Sequence, residues 1–394
     1  MARLYNFRVM EPASIEHLST LRAKSGEDVD KEIYTFKDKG GRDVGLRFDL
    51  TVGMTRYVCS RKDLRPPTKL AAFGGMWRYD EPQYGRFRWA HQWDLEVFGP
   101  PSVDSDAEVI DASAAIMKRI GLDRTVIMVG DRKVVEGFIR DRVGIKDEQR
   151  VAELLRALDK VEKKTRAELE QEYRMKGFGA DELRQVLALA DLNGRPEDVI
   201  RRAAELHLAH TEDLEQLSDT LRSRGVTNLQ FNLRIVRGID YYTGIVFEIV
   251  DGGNPRLGSL CGGGRYDALP KILGRPDLSA TGAAGGVERE AMSMAKQSAK
   301  PAAVAFVACA SPEVSAEASG LLARLREAGI PADSSPRGRS LGKQFEDAGS
   351  MGARWVLVLG KREVSAGAVT LRDMGSGKEE MVSPEVAIRR IGAS

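Results

Sequence analysis

In three stretches of the 394-residue chain that otherwise read as strand, the polar residues fall on single faces. Side chains two apart share a strand face. Residues 88–98 therefore divide into a face of Trp89, His91, Trp93, Leu95 and Val97, read as core, and a face of Arg88, Ala90, Gln92, Asp94 and Glu96. Over residues 46–51 the same alternation groups Arg47, Asp49 and Thr51. Over residues 73–79 it sets Gly74, Met76 and Arg78 apart from Phe73, Trp77 and Tyr79. If these strands are neighbours, their common surface offers carboxylate, amide and hydroxyl groups at one end and arginine at another. For any one such strand taken alone, the commoner reading is a polar face that meets water.

Glycine marks two further stretches. The run Gly282-Ala-Ala-Gly-Gly-Val-Glu-Arg289 leads small residues into a helical pattern, and a helix start is a place for an anion. The triplet Gly262-Gly263-Gly264 lets backbone approach a ligand closely, although a flexible turn explains such a triplet as often. Other phosphate motifs are missing: residues 338–343 lack Walker spacing, and no GxGxxG follows a strand. Cys59, Cys261 and Cys309 lie far apart without CxxC spacing, and the four histidines complete no zinc pattern. Neither a structural metal nor a disulfide framework is expected on that basis.

The elements that must position these residues fall into three patterns. Residues 1–133 mix strand and helix, with strands expected at 32–37, 44–48, 70–79, 87–98 and 125–129 and a helix at 106–120. The strands around 80–86 face each other as a long antiparallel hairpin, because Pro82 and Gly85 break the pattern between them. Residues 134–224 turn to Leu, Ala, Glu, Lys and Arg with almost no aromatics, which reads as a helical insertion. Strands return over 229–250, followed by glycine-rich loops at 252–264 and 282–286 and a helix from 287. Residues 301–394 alternate strand and helix as a small α/β domain with a mainly parallel sheet.

Length alone predicts two or three cores rather than one. Lys and Arg total 60 against 58 Asp and Glu, so bulk charge does not hold this chain to nucleic acid and any polyanion contact is local. No apolar run reaches the ~18 residues of a membrane span, and the first residues carry no secretory signal, which points to a cytoplasmic protein without a membrane partner.

At residues 73–96 the sequence Phe-Gly-Gly-Met-Trp-Arg78-Tyr-Asp-Glu-Pro-Gln-Tyr-Gly-Arg86-Phe-Arg-Trp-Ala-His-Gln92-Trp-Asp-Leu-Glu96 resembles motif 2 of the class II aminoacyl-tRNA synthetases. Gly285-Gly-Val-Glu-Arg289 is similar to their motif 3. Arg237-Gly-Ile-Asp-Tyr-Tyr242 and Gly262-Gly-Gly-Arg-Tyr-Asp267 resemble the two segments peculiar to the histidyl-tRNA synthetase family. Arg47-Phe-Asp49-Leu-Thr51 resembles that family's α-amino-binding segment in its archaeal or eukaryote-like form. The likeness covers nearly the whole chain. It implies an α+β catalytic domain with the antiparallel class II sheet (1–133 and 225–297), a helical insertion (134–224) that embraces the tRNA acceptor arm, and a C-terminal α/β anticodon-binding domain (301–394).

The resemblance also implies a reaction, the ligation of L-histidine to tRNA(His) through an adenylate made from ATP, with Mg2+ bridging the outer phosphates. It assigns Arg78 to the α-phosphate and the amino-acid carboxylate, Arg86 and Arg289 to the distal phosphates, and Arg237 to the α-phosphate in place of a metal. It gives the histidine to Asp49, Thr51, Gln92, Glu96, Arg237, Tyr241 and Tyr242. A homodimer is implied as well. Relative to the family the chain opens late, with motif 1 represented by its closing strand and proline, Val9-Met-Glu-Pro12. Rival readings are a synthetase-like, histidine-binding regulatory subunit of ATP phosphoribosyltransferase, a class II synthetase for another amino acid, and a tRNA-binding module without catalysis.

Overall fold

In the computed structural model the first unit, Met1–Lys296, is built on one large sheet. The described residues are 1–394 apart from 24–30, 80, 82–83, 163, 237–240, 295–304, 337 and 394. A short edge strand, β1 (Arg8–Val9), opens the chain, and β2 (Ile15–His17), α1 (Leu18–Arg22), β3 (Thr35–Lys37) and β4 (Asp43–Leu46) contribute a small three-stranded sheet with one helix. Helix α2 (Thr51–Ser60) leads to the expected hairpin of β5 (Thr68–Trp77) and β6 (Trp89–Gly99), in register from Thr68 opposite Phe98 to Trp77 opposite Trp89. In α3 (Val103–Arg119) the Ser102 hydroxyl accepts the Asp104 N–H. Asp104 and Asp106 occupy the first turn and Lys118 and Arg119 the last, the order the helix dipole favours. Strand β7 (Thr125–Asp131) follows.

Helices then dominate: α4 (Arg132–Gly137), α5 (Glu148–Asp159), α6 (Arg166–Met175), α7 (Ala180–Ala188), the two-residue β8 (Asn193–Gly194), α8 (Pro196–Glu205) and α9 (Glu212–Ser223). Local signals set their starts. Thr165 and Glu168 form a reciprocal capping box at α6, and Pro196 occupies the first turn of α8. Strands β9 (Leu229–Asn232), β10 (Ile245–Asp251) and β11 (Ser259–Arg265), helix α10 (Ala268–Ile272), strand β12 (Ser279–Gly286) and helix α11 (Val287–Met294) complete the unit.

The large sheet has the order β1-β5-β6-β12-β11-β10-β7-β9-β8 and is antiparallel from β5 through β7. Its two faces are both covered. One carries an apolar cluster that runs from Trp93 and Leu95 through Ile110 and Ile127 into Leu154 and Leu217 of the helical block. The other carries a smaller cluster with Leu50, Met54, Phe98, Tyr241, Tyr242 and Tyr266.

Three expectations need correction. The glycine-rich stretches expected as loops are largely the interior strands β11 and β12: Gly282 and Gly285 of β12 leave room for Glu96 and Trp93 of β6, while Gly263 and Gly264 of β11 lie against the backbone of β12 and β10. Thr51 does not share a strand face with Arg47 and Asp49: β4 ends at Leu46, and Thr51 begins α2. The odd-numbered face of β6 is core only from Trp93 onward, since Trp89 is 53% exposed and Phe73 of β5, which stacks on His91, 59%.

In the second unit, Gln297–Ser394, strands β13 (Ala305–Cys309), β14 (Ala332–Ser334), β15 (Trp355–Leu359), β16 (Val369–Asp373) and β17 (Glu379–Val382) alternate with helices. These are α12 (Ser315–Glu327), α13 (Leu341–Ser350), α14 (Lys361–Ser365) and α15 (Pro384–Gly392). The sheet order is β14-β13-β15-β16-β17. Contrary to a mainly parallel sheet, it is mixed: β14, β13 and β15 run parallel, while β16 and β17 are antiparallel. The connections explain it, because the links at 360–368 and 374–378 are shorter than the dozen or more residues a parallel crossover requires.

Asp131, at the end of β7, is fully buried. Its Oδ1 accepts the Lys133 N–H at 2.7 Å as the cap of α4, and its Oδ2 has no partner. Burial pushes this carboxyl up to about 7, against the opposing Lys133 N–H and the Lys133 charge. A raised folded-state pKa means stability that is complete below the ordinary carboxylate range and is lost as pH rises toward 7. Asp131→Asn keeps an N-cap and removes the charge. Its urea midpoint should exceed that of the wild type at pH 8, by roughly 1–3 kcal/mol in unfolding free energy, with the gain gone at pH 4. A constant offset across that range would contradict the assignment.

Candidate active site

The polar stripe expected on β6 is buried, not wetted: Gln92, Asp94 and Glu96 are 4%, 0% and 1% exposed. Burial at that level requires partners, and each residue finds them on a different segment. Asp94 Oδ2 accepts from the Thr51 hydroxyl at 3.1 Å, and its Oδ1 accepts from Gln92 Nε2 at 2.7 Å. Gln92 Oε1 accepts from Arg78 Nη2 at 3.4 Å, while Arg78 Nε donates to the Phe48 carbonyl at 2.8 Å. Thr51, Asp94, Gln92 and Arg78 thus form one chain from the start of α2 across β6 to the residue after β5. Asp49 stands two residues before Thr51 and accepts the Val52 N–H at 3.2 Å.

Farther along β6, the Tyr266 hydroxyl donates to Glu96 Oε2. Burial and the adjacent Glu96 carboxylate hold the Tyr266 phenol well above its ordinary pKa, so it remains a donor. Its ring meets Tyr241 edge-on at 5.6 Å, and Tyr241 stacks on Tyr242 at 4.4 Å. Gly282 of β12 lies opposite Glu96 in the ladder, and a Cβ there would sit 1.6 Å from Glu96 Oε2. Only glycine leaves room for the carboxylate.

The cations are anchored at the other end of the stripe. Arg289 donates through Nε to the Gly85 carbonyl and through Nη1 to the Ser259 carbonyl, both at 2.9 Å. Gly85 immediately precedes Arg86, which is exposed. Gly286, three residues before Arg289, pairs with Gln92, so Arg78 and Arg289 are both referenced to the same end of β6. Arg289 is flanked by two acids. Glu288 accepts the His91 N–H at 2.8 and 3.0 Å and faces His91 Nδ1 at 3.0 Å. Glu290 accepts from Trp93 Nε1 at 2.8 Å, and burial pushes its carboxyl up to about 7. Arg237 lies outside the described residues.

Sequence alternation placed Arg47 beside Asp49 and Thr51, but its side chain does other work. Buried, it donates to the carbonyls of Gly75 at 2.7 Å and Pro12 at 2.6 Å and pairs with Glu11 at 3.2 Å, bracing the hairpin. Two residues were not singled out in advance, Asp94 and Tyr266. Asp94 was signalled by its place between Gln92 and Glu96 on one strand face. Tyr266 follows the glycine triplet, and nothing in its local spacing links it to Glu96, 170 positions away.

A largely antiparallel sheet whose long hairpin carries an arginine just after its first strand, and whose glycine-rich strand runs into a helix bearing a second, is the catalytic architecture of a class II aminoacyl-tRNA synthetase. Residues 2–289 match the family described as histidyl-tRNA synthetase, and residues 304–393 match the anticodon binding domain. A histidine-tRNA ligase of Thermococcus kodakarensis is 35% identical over 98% of this chain and 91% of its own. One of Pyrococcus horikoshii is 36% identical over 96% and 89%. The crystal structure of a histidyl-tRNA synthetase from a Nostoc species superposes with a TM-score of 0.84 at 27% identity, over 98% of this chain and 93% of that one. The chain belongs to the histidyl-tRNA synthetase family.

Tyr266→Phe removes the donor to Glu96 and leaves a buried carboxylate short of a partner. Unfolding free energy should fall by about 1–3 kcal/mol in urea titrations at pH 7. A loss below ~0.5 kcal/mol would mean that the carboxylate is satisfied without it.

Proposed function

We propose that this protein ligates L-histidine to tRNA(His) in two steps. In the first, a histidine carboxylate oxygen attacks the α-phosphorus of ATP, a P–O bond forms and the bond to pyrophosphate breaks. In the second, a terminal ribose hydroxyl of the tRNA attacks the histidyl carbonyl and AMP leaves. The observation that carries this reading is the buried stripe of β6, which offers acceptors at two separate points along one strand. Histidine is small and polar at both ends. Asp49, Thr51 and Gln92 suit its ammonium, with Asp94 holding Thr51 and Gln92 in place. Glu96, Tyr241 and Tyr242 suit its imidazole, with Tyr266 fixing the Glu96 carboxylate. A site of buried hydrogen-bonding groups rejects amino acids that lack the matching atoms by factors of ~10⁴ to 10⁵, so discrimination needs no editing step.

Charge develops on phosphate oxygens during the attack, and planar guanidinium forks match that geometry. We assign Arg78 and Arg237 to the α-phosphate, Arg78 also to the amino-acid carboxylate, and Arg86 and Arg289 to the distal phosphates. Support comes from the shared anchoring of Arg78 and Arg289 at one end of β6. Mg2+ is read as entering with ATP. Among the described residues no three His, Cys, Asp or Glu converge, so phosphate oxygens and water must supply most of its ligands. In-line attack by a carboxylate requires no general base.

Residues 1–133 and 225–297 are assigned to catalysis, 134–224 to embracing the acceptor arm and 301–394 to reading the anticodon by base stacking and hydrogen bonds. A homodimer is supported by the apolar surface of Val9, Phe73 and Trp89, which are 67%, 59% and 53% exposed on β1, β5 and β6. Among the described residues no helix is long and apolar enough to cross a membrane, and Cys59, Cys261 and Cys309 are free thiols, which suits work in the cytoplasm. The regulatory-subunit reading is not favoured, because the Thermococcus kodakarensis and Pyrococcus horikoshii relatives, aligned over 98% and 96% of this chain, are named as ligases.

The test is histidine-dependent exchange of pyrophosphate into ATP. A folded protein that shows no exchange when histidine is supplied would end the enzyme reading. Arg237→Ala should lower exchange by about 10²–10³-fold while histidine still binds in calorimetry, since the lost donor acts on developing charge. Equal loss of both would contradict its role. Deleting residues from about 300 onward should depress tRNA charging far more than exchange, and the reverse order would refute the anticodon assignment.

A further inference from the structure

Three consecutive residues at the start of α11 each reach a different anchor. Glu288 takes the His91 backbone N–H at 2.8 and 3.0 Å, a donor left over where β12 ends at Gly286 and the ladder with β6 stops. Arg289 spans to the Gly85 and Ser259 carbonyls. Glu290, only 5% exposed, accepts from Trp93 Nε1 at 2.8 Å. The Trp93 indole lies across β12 at Gly285, where a Cβ would sit 2.2 Å from its Cε2. One indole thus crosses the last residues of β12 and fixes the first turn of the helix that follows.

A carboxylate is a costly way to fill this place. Burying it with an indole N–H as its hydrogen-bond donor is worse for stability than burying a leucine of similar volume, which would pack against the same cluster without desolvation. What leucine cannot supply is direction. A hydrogen bond fixes the rotation of the α11 first turn about its axis, and Arg289 departs from the adjacent residue.

We propose that Glu290 and Trp93 form a positioning pair that aims the Arg289 guanidinium at the distal phosphates of a nucleoside triphosphate. Neither residue touches the ligand; both act through Arg289. The inference rests on the reading of Arg289 as a phosphate ligand, and the experiment separates the two.

Binding of ATP and of histidine is measured by titration calorimetry on the full chain and its variants, with urea midpoints recorded in parallel. Glu290→Leu should weaken ATP about tenfold, leave histidine within twofold and keep or raise the urea midpoint. Glu290→Gln retains an acceptor oxygen for the indole and should return ATP affinity to within twofold of the wild type. Trp93→Phe should reproduce the leucine variant for ATP, and it carries the test if Glu290→Leu does not fold. Arg289→Ala should weaken ATP at least as much as any of these. If Arg289→Ala leaves ATP binding unchanged, the phosphate reading fails and the pair's role falls with it. If Arg289→Ala weakens ATP but Glu290→Leu and Trp93→Phe do not, the positioning role alone is overturned. Equal weakening of ATP and histidine in Glu290→Leu, or failure of Glu290→Gln to restore ATP, would overturn it too.

Discussion

Burying carboxylates inside a β-sheet is the constraint on which the rest of this protein depends. Asp94 and Glu96 of β6 are withdrawn from water almost completely, and a charge so placed is tolerated only where hydrogen bonds replace its hydration. That requirement explains features that look unrelated along the chain. Thr51 must begin a helix beside the sheet so that its hydroxyl meets Asp94. Tyr266, the residue after β11, must reach past β12 to donate to Glu96. Strand β12 must be made of small residues, because Glu96 and Trp93 project into the space its side chains would fill.

The arginines divide by burial into two kinds of work. Arg47 and Arg265 are spent inside the fold. Arg47 ties the hairpin to Pro12, and Arg265 pairs with Asp106 and reaches the Ser102 carbonyl and Ser279. Asp106 shows the strain of that arrangement, since burial raises it to about 6 even with a guanidinium alongside. Arg78, Arg86 and Arg289, which we propose serve the nucleotide, remain at least partly exposed. A buried guanidinium needs every donor matched by protein, whereas one that serves a ligand must keep geometry for a partner that comes and goes.

Much of the site was legible because strand alternation is local. Gln92 and Glu96 were placed on one face from spacing alone, and the hairpin that carries them was set by Pro82, Gly85 and the alternation to either side. The same rule failed at Thr51, where a strand pattern of three residues gave way to a helix start, because three residues do not outweigh a following helical period. It also misjudged Trp89, whose apolar character promised burial but which is exposed at the start of β6. Glycine misled most. A triplet of glycines lacks the local signature of a strand, and its identity as one depends on neighbours that are distant in sequence.

The sequence by itself pointed to the class of chemistry, through the resemblance of residues 73–96, 237–242, 262–267 and 285–289 to family motifs, and it determined the hairpin, the helical block and the separate C-terminal unit. Those are properties of neighbouring residues and of composition. Only the tertiary structure decided which polar groups are buried and what satisfies them: Asp94 between Thr51 and Gln92, Glu96 with Tyr266, Glu290 with Trp93. Each of those pairs, Gln92–Asp94 apart, joins residues many positions apart, and burial is a property of what surrounds a residue rather than of what precedes and follows it. Local pattern can nominate a polar residue, but the energy that fixes its role comes from partners that meet it only after the chain has folded.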